Sequence, residues 1–150
     1  MADNTGSVVT AISEERTPES SLLDHVERVT HARSDRFAVV INLSRLSPHN
    51  RQPHHIRIAS RTFDTLLNSH DVQLYVLGNG DIVLMCKDVR IDDVDYMIDK
   101  LRTLFRNDPL AARGGAGGHE FTDWYDFEVE FDALFELTRA WAARAKRNAA

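Results

Sequence analysis

The sequence predicts an α/β (α+β) fold: one three- or four-stranded sheet, mixed or antiparallel, with helices on one or both faces. Three observations carry this. Apolar residues recur at helical spacing in several separate segments. Short β-branched apolar runs stand between them. Asn79-Gly80 joins two of those runs as the strongest hairpin signal a short sequence can carry. At 150 residues, the chain is long enough for one domain with a proper core and short for two.

Residues 1–19 are polar and acidic, with Pro18 and no sustained period, and read as a flexible tail ahead of a single domain over 20–150. Ser20 or Ser21 caps a first helix whose apolar positions are Leu22, Leu23, Val26 and Val29. Arg36 to Leu43, RFAVVINL, is a β-branched run with the look of a strand buried on both faces. Ser44 to Pro53 carries two prolines and reads as a loop. A second helix spans Ile56 to Leu67, with Ala59 and Phe63 on its apolar side.

Two strands follow, Val72 to Leu77 and Ile82 to Cys86. Asn79 and Gly80 between them both tolerate the positive φ of a primed two-residue turn. Asp92 is placed to cap the next helix, where Val94, Met97, Ile98, Leu101, Leu104 and Phe105 recur at three- and four-residue steps. Its acidic start and basic end suit the helix dipole, and Pro109 stops it. Residues 111–118, AARGGAGG, form a glycine-rich linker. Phe121 to Phe127 reads as a short aromatic strand or an irregular docking segment, and a last helix runs from Val129 to about Lys146.

Composition narrows the function. A net charge of -5 argues against a general nucleic-acid-binding surface. Nothing approaches the apolar length of a membrane span, and the first residues lack the basic-then-apolar pattern of a secretory signal. The single cysteine, Cys86, lies in an apolar run and reads as a core residue in a reducing compartment. The expected location is the cytoplasm.

No arrangement of nucleophile, base and orienting acid can be nominated, and no Gly-x-Ser-x-Gly elbow is present. His49, His54 and His55 cluster, but adjacent histidines chelate one ion poorly and no cysteine pair accompanies them, so neither a metal nor a cofactor is expected. Gly114 to Gly118 lacks the Lys-Ser/Thr of a phosphate-binding loop.

The order of elements, with its particular residues, resembles the GGDEF family, the diguanylate cyclase domains of bacterial second-messenger signalling. Arg36 to Leu43 matches that family's first strand, and Asn42-Leu43-Ser44 falls at its Asp-x-Asp. Arg45-Leu46 resembles its Arg-Phe pair, Asn50 its asparagine and His55 its histidine, while Ile58-Ala59-Ser60-Arg61 resembles its Val-Ala-x-Arg. Asn79-Gly80-Asp81-Ile82-Val83 falls on the signature itself. The resemblance spans roughly residues 20 to 107 and implies a nucleotidyl-cyclase-like, mostly antiparallel sheet flanked by helices. It places a degenerate guanine-nucleotide site at Asn42, Ser44, Asn50, Asn79, Gly80 and Asp81.

The departures imply silence. Cyclase chemistry needs carboxylates to hold two divalent cations against a triphosphate. Asn42 and Ser44 are neutral, Ile82 stands in place of the signature glutamate, and only Asp81 survives. The family's product-binding Arg-x-x-Asp is also missing, since the stretch reads Ser69-His70-Asp71-Val72-Gln73. The resemblance therefore implies a non-catalytic regulatory module that binds a nucleotide or a protein. An active cyclase with atypical ligands around Asp81 ranks third.

The second reading is a protein-interaction adaptor or self-associating module. Phe121, Trp124, Tyr125, Phe127, Phe131 and Phe135 are six of the chain's twelve aromatics, set among acidic side chains. They serve either as an anchor for the last helix or as a partner-docking surface. Along that helix charge changes from acidic (Glu128, Glu130, Asp132, Glu136) to basic (Arg139, Arg144, Lys146, Arg147), which suits its dipole and also antiparallel self-association.

Overall fold

The structure is a computed structural model that describes the backbone of Val8–Val9, residues 17–112 and residues 120–149. In chain order the elements are β1 (Val8–Val9), α1 (Pro18–Arg28), β2 (Arg36–Ile41), α2 (Pro53–Arg61), α3 (Asp64–Ser69), β3 (Asp71–Val76), β4 (Ile82–Lys87), α4 (Ile91–Leu104), β5 (Thr122–Asp126) and α5 (Phe127–Ala149). The fold is α+β. Its strands lie in the order β1-β3-β4-β2-β5; every pairing is antiparallel except that of β1 with β3.

From β2 to β5 the chain runs βαββαβ. β4 lies between the parallel pair β2 and β3, and β2 lies between the parallel pair β4 and β5. This is the split βαβ arrangement, used twice. Strand β2 thus sits beside β4, the second strand of the hairpin, with Phe37 opposite Cys86 and Val39 opposite Leu84.

Alternation along each strand explains the two cores. Phe37, Val39 and Ile41 join Leu74, Leu84 and Cys86 on one face, under Phe63 and the α4 residues Val94, Ile98 and Leu101. Ala38 and Val40 join Tyr75, Val83 and Met85 on the other, under Leu22 and Val26 of α1 and Phe131 and Leu134 of α5. A strand covered on both faces needs apolar residues at every position, which is why RFAVVINL carries no polar alternation.

Several boundaries differ from the sequence reading. Helix α1 starts at Pro18, because Thr17 Oγ1 accepts from Ser20 N (3.1 Å) while Ser20 Oγ accepts from Thr17 N (3.0 Å). The capping residue is therefore Thr17, not Ser20 or Ser21, and β1 also falls inside the expected tail. The strand from Arg36 ends at Ile41; Asn42 precedes a short 3-10 turn, Leu43–Arg45. The helix expected over Ile56 to Leu67 is two helices with fully buried Phe63 at the break. There Thr62 Oγ1 donates to the Ile58 carbonyl (3.1 Å), a back-bond that competes with helix continuation.

Asp92 does not cap α4: the capping position is Arg90, without a side-chain bond, and Asp92 and Asp93 lie in the first turn. The possible strand at Phe121 to Phe127 is β5, paired with β2. Most of the glycine linker, residues 113–118, lies outside the described residues. No helix among the described residues is long and apolar enough to cross a membrane.

Candidate functional site

The β3–β4 hairpin positions the site, and its turn is not the two-residue primed turn that Asn79-Gly80 suggests. Leu77 N donates to the Asp81 carbonyl (2.8 Å) and Gly80 N to the Leu77 carbonyl (2.9 Å), so the loop is Gly78-Asn79-Gly80. Within that loop only Gly80 has positive φ, at 95°. A β-turn followed by one left-handed glycine is the three-residue hairpin solution. A Cβ at Gly80 would also lie 3.3 Å from Ile56 Cδ1, a tight contact that Ile56 could relieve by a small shift, so it is the positive φ that favours glycine here.

Asp81, which closes that loop, is 7% exposed, and both of its carboxylate oxygens are hydrogen-bonded. Its Oδ1 accepts from the Ser44 backbone N–H (2.7 Å), and its Oδ2 accepts from Asn79 Nδ2 (3.1 Å). Asn79 Oδ1 accepts in return from Asp81 N (3.0 Å). The carboxylate therefore ties the turn after β2 to the hairpin tip. Charge-assisted bonds of this kind are among the stronger ones in a protein.

Asn42, at the end of β2, faces away from that pair of bonds toward β5. Its Nδ2 donates to the Glu120 carbonyl (3.0 Å) and to Asp123 Oδ2 (3.1 Å), and its backbone N–H donates to the Phe121 carbonyl (2.8 Å). Asp123 is thus a second carboxylate beside the strand end, contributed from 81 residues along the chain. Asn50 belongs to another network. Asp108, 3% exposed, accepts from Asn50 Nδ2 (3.0 Å), Ser47 N (2.8 Å) and Leu110 N (3.1 Å). Burial alone would raise the Asp108 carboxyl; these hydrogen bonds hold it below the ordinary range. Of the six residues that the resemblance assigns to a nucleotide site, Ser44, Asn79, Gly80 and Asp81 come together; Asn42 and Asn50 serve separate structural contacts.

A cavity of about 450 Å³ opens on the hairpin tip. Gly78 and Asn79 form part of its wall, with Glu19 from α1 and Trp141, Arg144 and Asn148 from the end of α5. Glu19 Oε2 accepts from Gly78 N (2.7 Å) and is nearly buried. Glu19, Trp141 and Arg144 were not legible as site residues, because only the packing of α1 and α5 brings both ends of the chain to the hairpin. Trp141 offers a stacking face and Arg144 a cation, which are the groups that hold a base and a phosphate.

The aromatic segment divides between the two cores. Phe121 is fully buried on one face of the sheet, and Phe127 and Phe131 are buried on the other. These three anchor the C-terminal helix and present no ring to a partner. Arg33 covers Phe131 at 4.1 Å, and Arg102 covers Phe121 at 5.0 Å. Trp124, Tyr125 and Phe135 remain half-buried. Trp124 stacks on Phe37 with ring centroids 5.8 Å apart. With Tyr125 it borders a second cavity of about 480 Å³, walled also by Arg36, Asp126, Glu128 and Glu130.

The histidines are in different settings. The His54 and His55 ring centroids lie 4.0 Å apart with the rings tilted by 37°, and His55 Nδ1 accepts from Gln52 N (3.2 Å). Its pKa is lowered by desolvation first and then by the neighbouring histidines. No group of three or more His, Cys, Asp or Glu able to hold a metal occurs among the described residues.

Comparison of the chain with protein-family models finds no match, and comparison with curated proteins and with solved structures finds none either. The function therefore rests on the site itself.

Proposed function

We propose that this chain is a non-catalytic cytoplasmic module of bacterial signalling, a degenerate GGDEF-like domain that acts by binding a nucleotide or protein. The observation that carries this is the state of Asp81: both carboxylate oxygens accept hydrogen bonds from the chain itself. A carboxylate so engaged and shielded is a poor ligand for a divalent cation, and two-cation chemistry needs several carboxylates. The cavity at the hairpin tip is of a size to take a ligand and carries an aromatic face and a cation. Guanine nucleotides are the ligand class that the resemblance implies.

Incubation with GTP and magnesium or manganese tests the catalytic half of the reading. No cyclic dinucleotide forms; turnover that is abolished in Asp81→Asn overturns it. Calorimetry with GTP and cyclic dinucleotides tests the binding half. Heat of binding that disappears in Trp141→Ala places the ligand at the hairpin cavity. Silence across the panel leaves the second reading, a protein adaptor, which the half-buried Trp124 beside its own cavity favours.

A further inference from the structure

We propose that the outer face of α2, with the end of α4 beside it, docks on an anionic phospholipid surface. This goes beyond the proposed function, since it uses neither the hairpin nor its cavity.

Charge marks the place. Between Asp35 and Asp64 the sequence holds five arginines, three histidines and no acid, inside a chain whose net charge is -5. Helix α2 carries His54, Arg57, Ile58 and Arg61 at i, i+3, i+4 and i+7, so the four share one side of the helix. All four are exposed, as are Arg45 and Arg51 in the turns ahead of α2. None of these guanidinium groups is paired with an acid among the described residues.

Apolar exposure selects the occupant. Among the described residues five large apolar side chains are exposed: Ile58, Ile91, Tyr96, Leu104 and Val129. Three of them adjoin acids: Ile91 precedes Asp92, Tyr96 follows Asp95, and Val129 stands between Glu128 and Glu130. The other two stand among bases. Ile58, 44% exposed, lies between Arg57 and Arg61 on the helix face; Leu104, 41% exposed, has Lys100 one turn before it and Arg106 two residues after it. These two separate segments adjoin, because the His55 ring meets that of Phe105 with centroids 5.8 Å apart.

A lipid headgroup layer accepts both kinds of side chain at once. Arginines meet its phosphates, and an apolar side chain between them enters the acyl boundary below. A nucleic-acid strand has no use for Ile58 and Leu104, and no exposed Phe, Tyr or Trp stands among these arginines to stack a base. The last turn of α5 is also basic, through Lys146 and Arg147, but no exposed large apolar side chain lies there. That helix covers the opposite face of the sheet from α2.

Co-sedimentation of the full chain with lipid vesicles supplies the test. The chain binds vesicles of mixed phosphatidylglycerol and phosphatidylcholine at low salt, ignores vesicles of phosphatidylcholine alone, and is released at about 0.5 M salt. Arg57→Ala with Arg61→Ala weakens binding roughly twenty-five-fold, at about fivefold per arginine. Lys146→Ala with Arg147→Ala, on the far side of the sheet, stays within about twofold of wild type. Ile58→Ser keeps every charge and still weakens vesicle binding about threefold or more, because the lipid takes up the isoleucine. All five positions are exposed, and thermal melts establish that the variants fold. No binding to the anionic vesicles, or a loss no larger in the α2 arginine variant than in the α5 variant, overturns the proposal. So does a single-stranded oligonucleotide bound as tightly as the vesicles, with Ile58→Ser changing neither.

Discussion

His25 sits at the centre of a buried polar network, and its protonation should control acid stability. It is 9% exposed, on the buried side of α1, with Nδ1 2.8 Å from Tyr75 Oη. Tyr75 Oη donates in turn to Gln73 Oε1 (3.1 Å), so the imidazole serves as the neutral partner of a hydroxyl. Burial, then Arg28 and Arg36, push its pKa from 6.5 down to about 4, against a smaller opposing effect of Asp71. Because the folded value lies below the unfolded one, the unfolded chain binds the proton more readily. The stability His25 contributes is complete above pH 6.5 and is lost as pH falls toward 4.

With those two values the loss is about 2 kcal/mol at pH 5 and about 3 kcal/mol at pH 4. Carboxyl groups in general also take up protons over this range, so the measurement is a difference. Urea unfolding of wild type and His25→Gln from pH 7 to pH 4 isolates it, because glutamine can still bond Tyr75 and cannot titrate. Wild type should lose about 3 kcal/mol more than the variant across that range. Parallel decline of the two proteins, or a folded-state imidazole titrating near 6.5, would refute the assignment.

Two further outcomes follow from the same geometry. Asp81→Ala leaves the Ser44 N–H and the Asn79 amide without their acceptor, and should cost roughly 2–3 kcal/mol in denaturant unfolding; a loss under about 0.5 kcal/mol would show that the carboxylate does not tie the hairpin to β2. Cys86 is buried and its thiol is pushed up to about 12, by burial first and by Asp71 second. A thiol-specific reagent at pH 8 should leave it untouched until the chain unfolds. Fast labelling of the folded protein would contradict its place in the core.

Local signals located most of the elements. The β-branched run at Arg36, the helical spacing of Val94, Ile98 and Leu101, and the glycine beyond Asn79 each report on backbone preferences within a few residues. Boundaries shifted where a local competitor acted. Thr17 and Ser20 cap one another ahead of the expected start, and Thr62 bonds back on Ile58 in the middle of the expected second helix. The turn differed for a similar reason: Leu77 and Asp81 pair across the loop, so Gly78 joins it and Asn79 needs no positive φ.

The sequence by itself determined that this chain folds as strands and helices around a hairpin, and that the hairpin lacks the acids of a two-cation site. Tertiary structure alone decided what each remaining polar group does. Asp81 became a tie because β2 ends beside the hairpin, and Asn42 found Asp123 because β5 pairs with β2. Phe121 and Phe131 went to opposite faces because β5 and the helix after it lie between them. Periodicity measures how a residue relates to its own segment; which distant segment supplies its partner depends on strand order, and strand order is set by packing two cores at once.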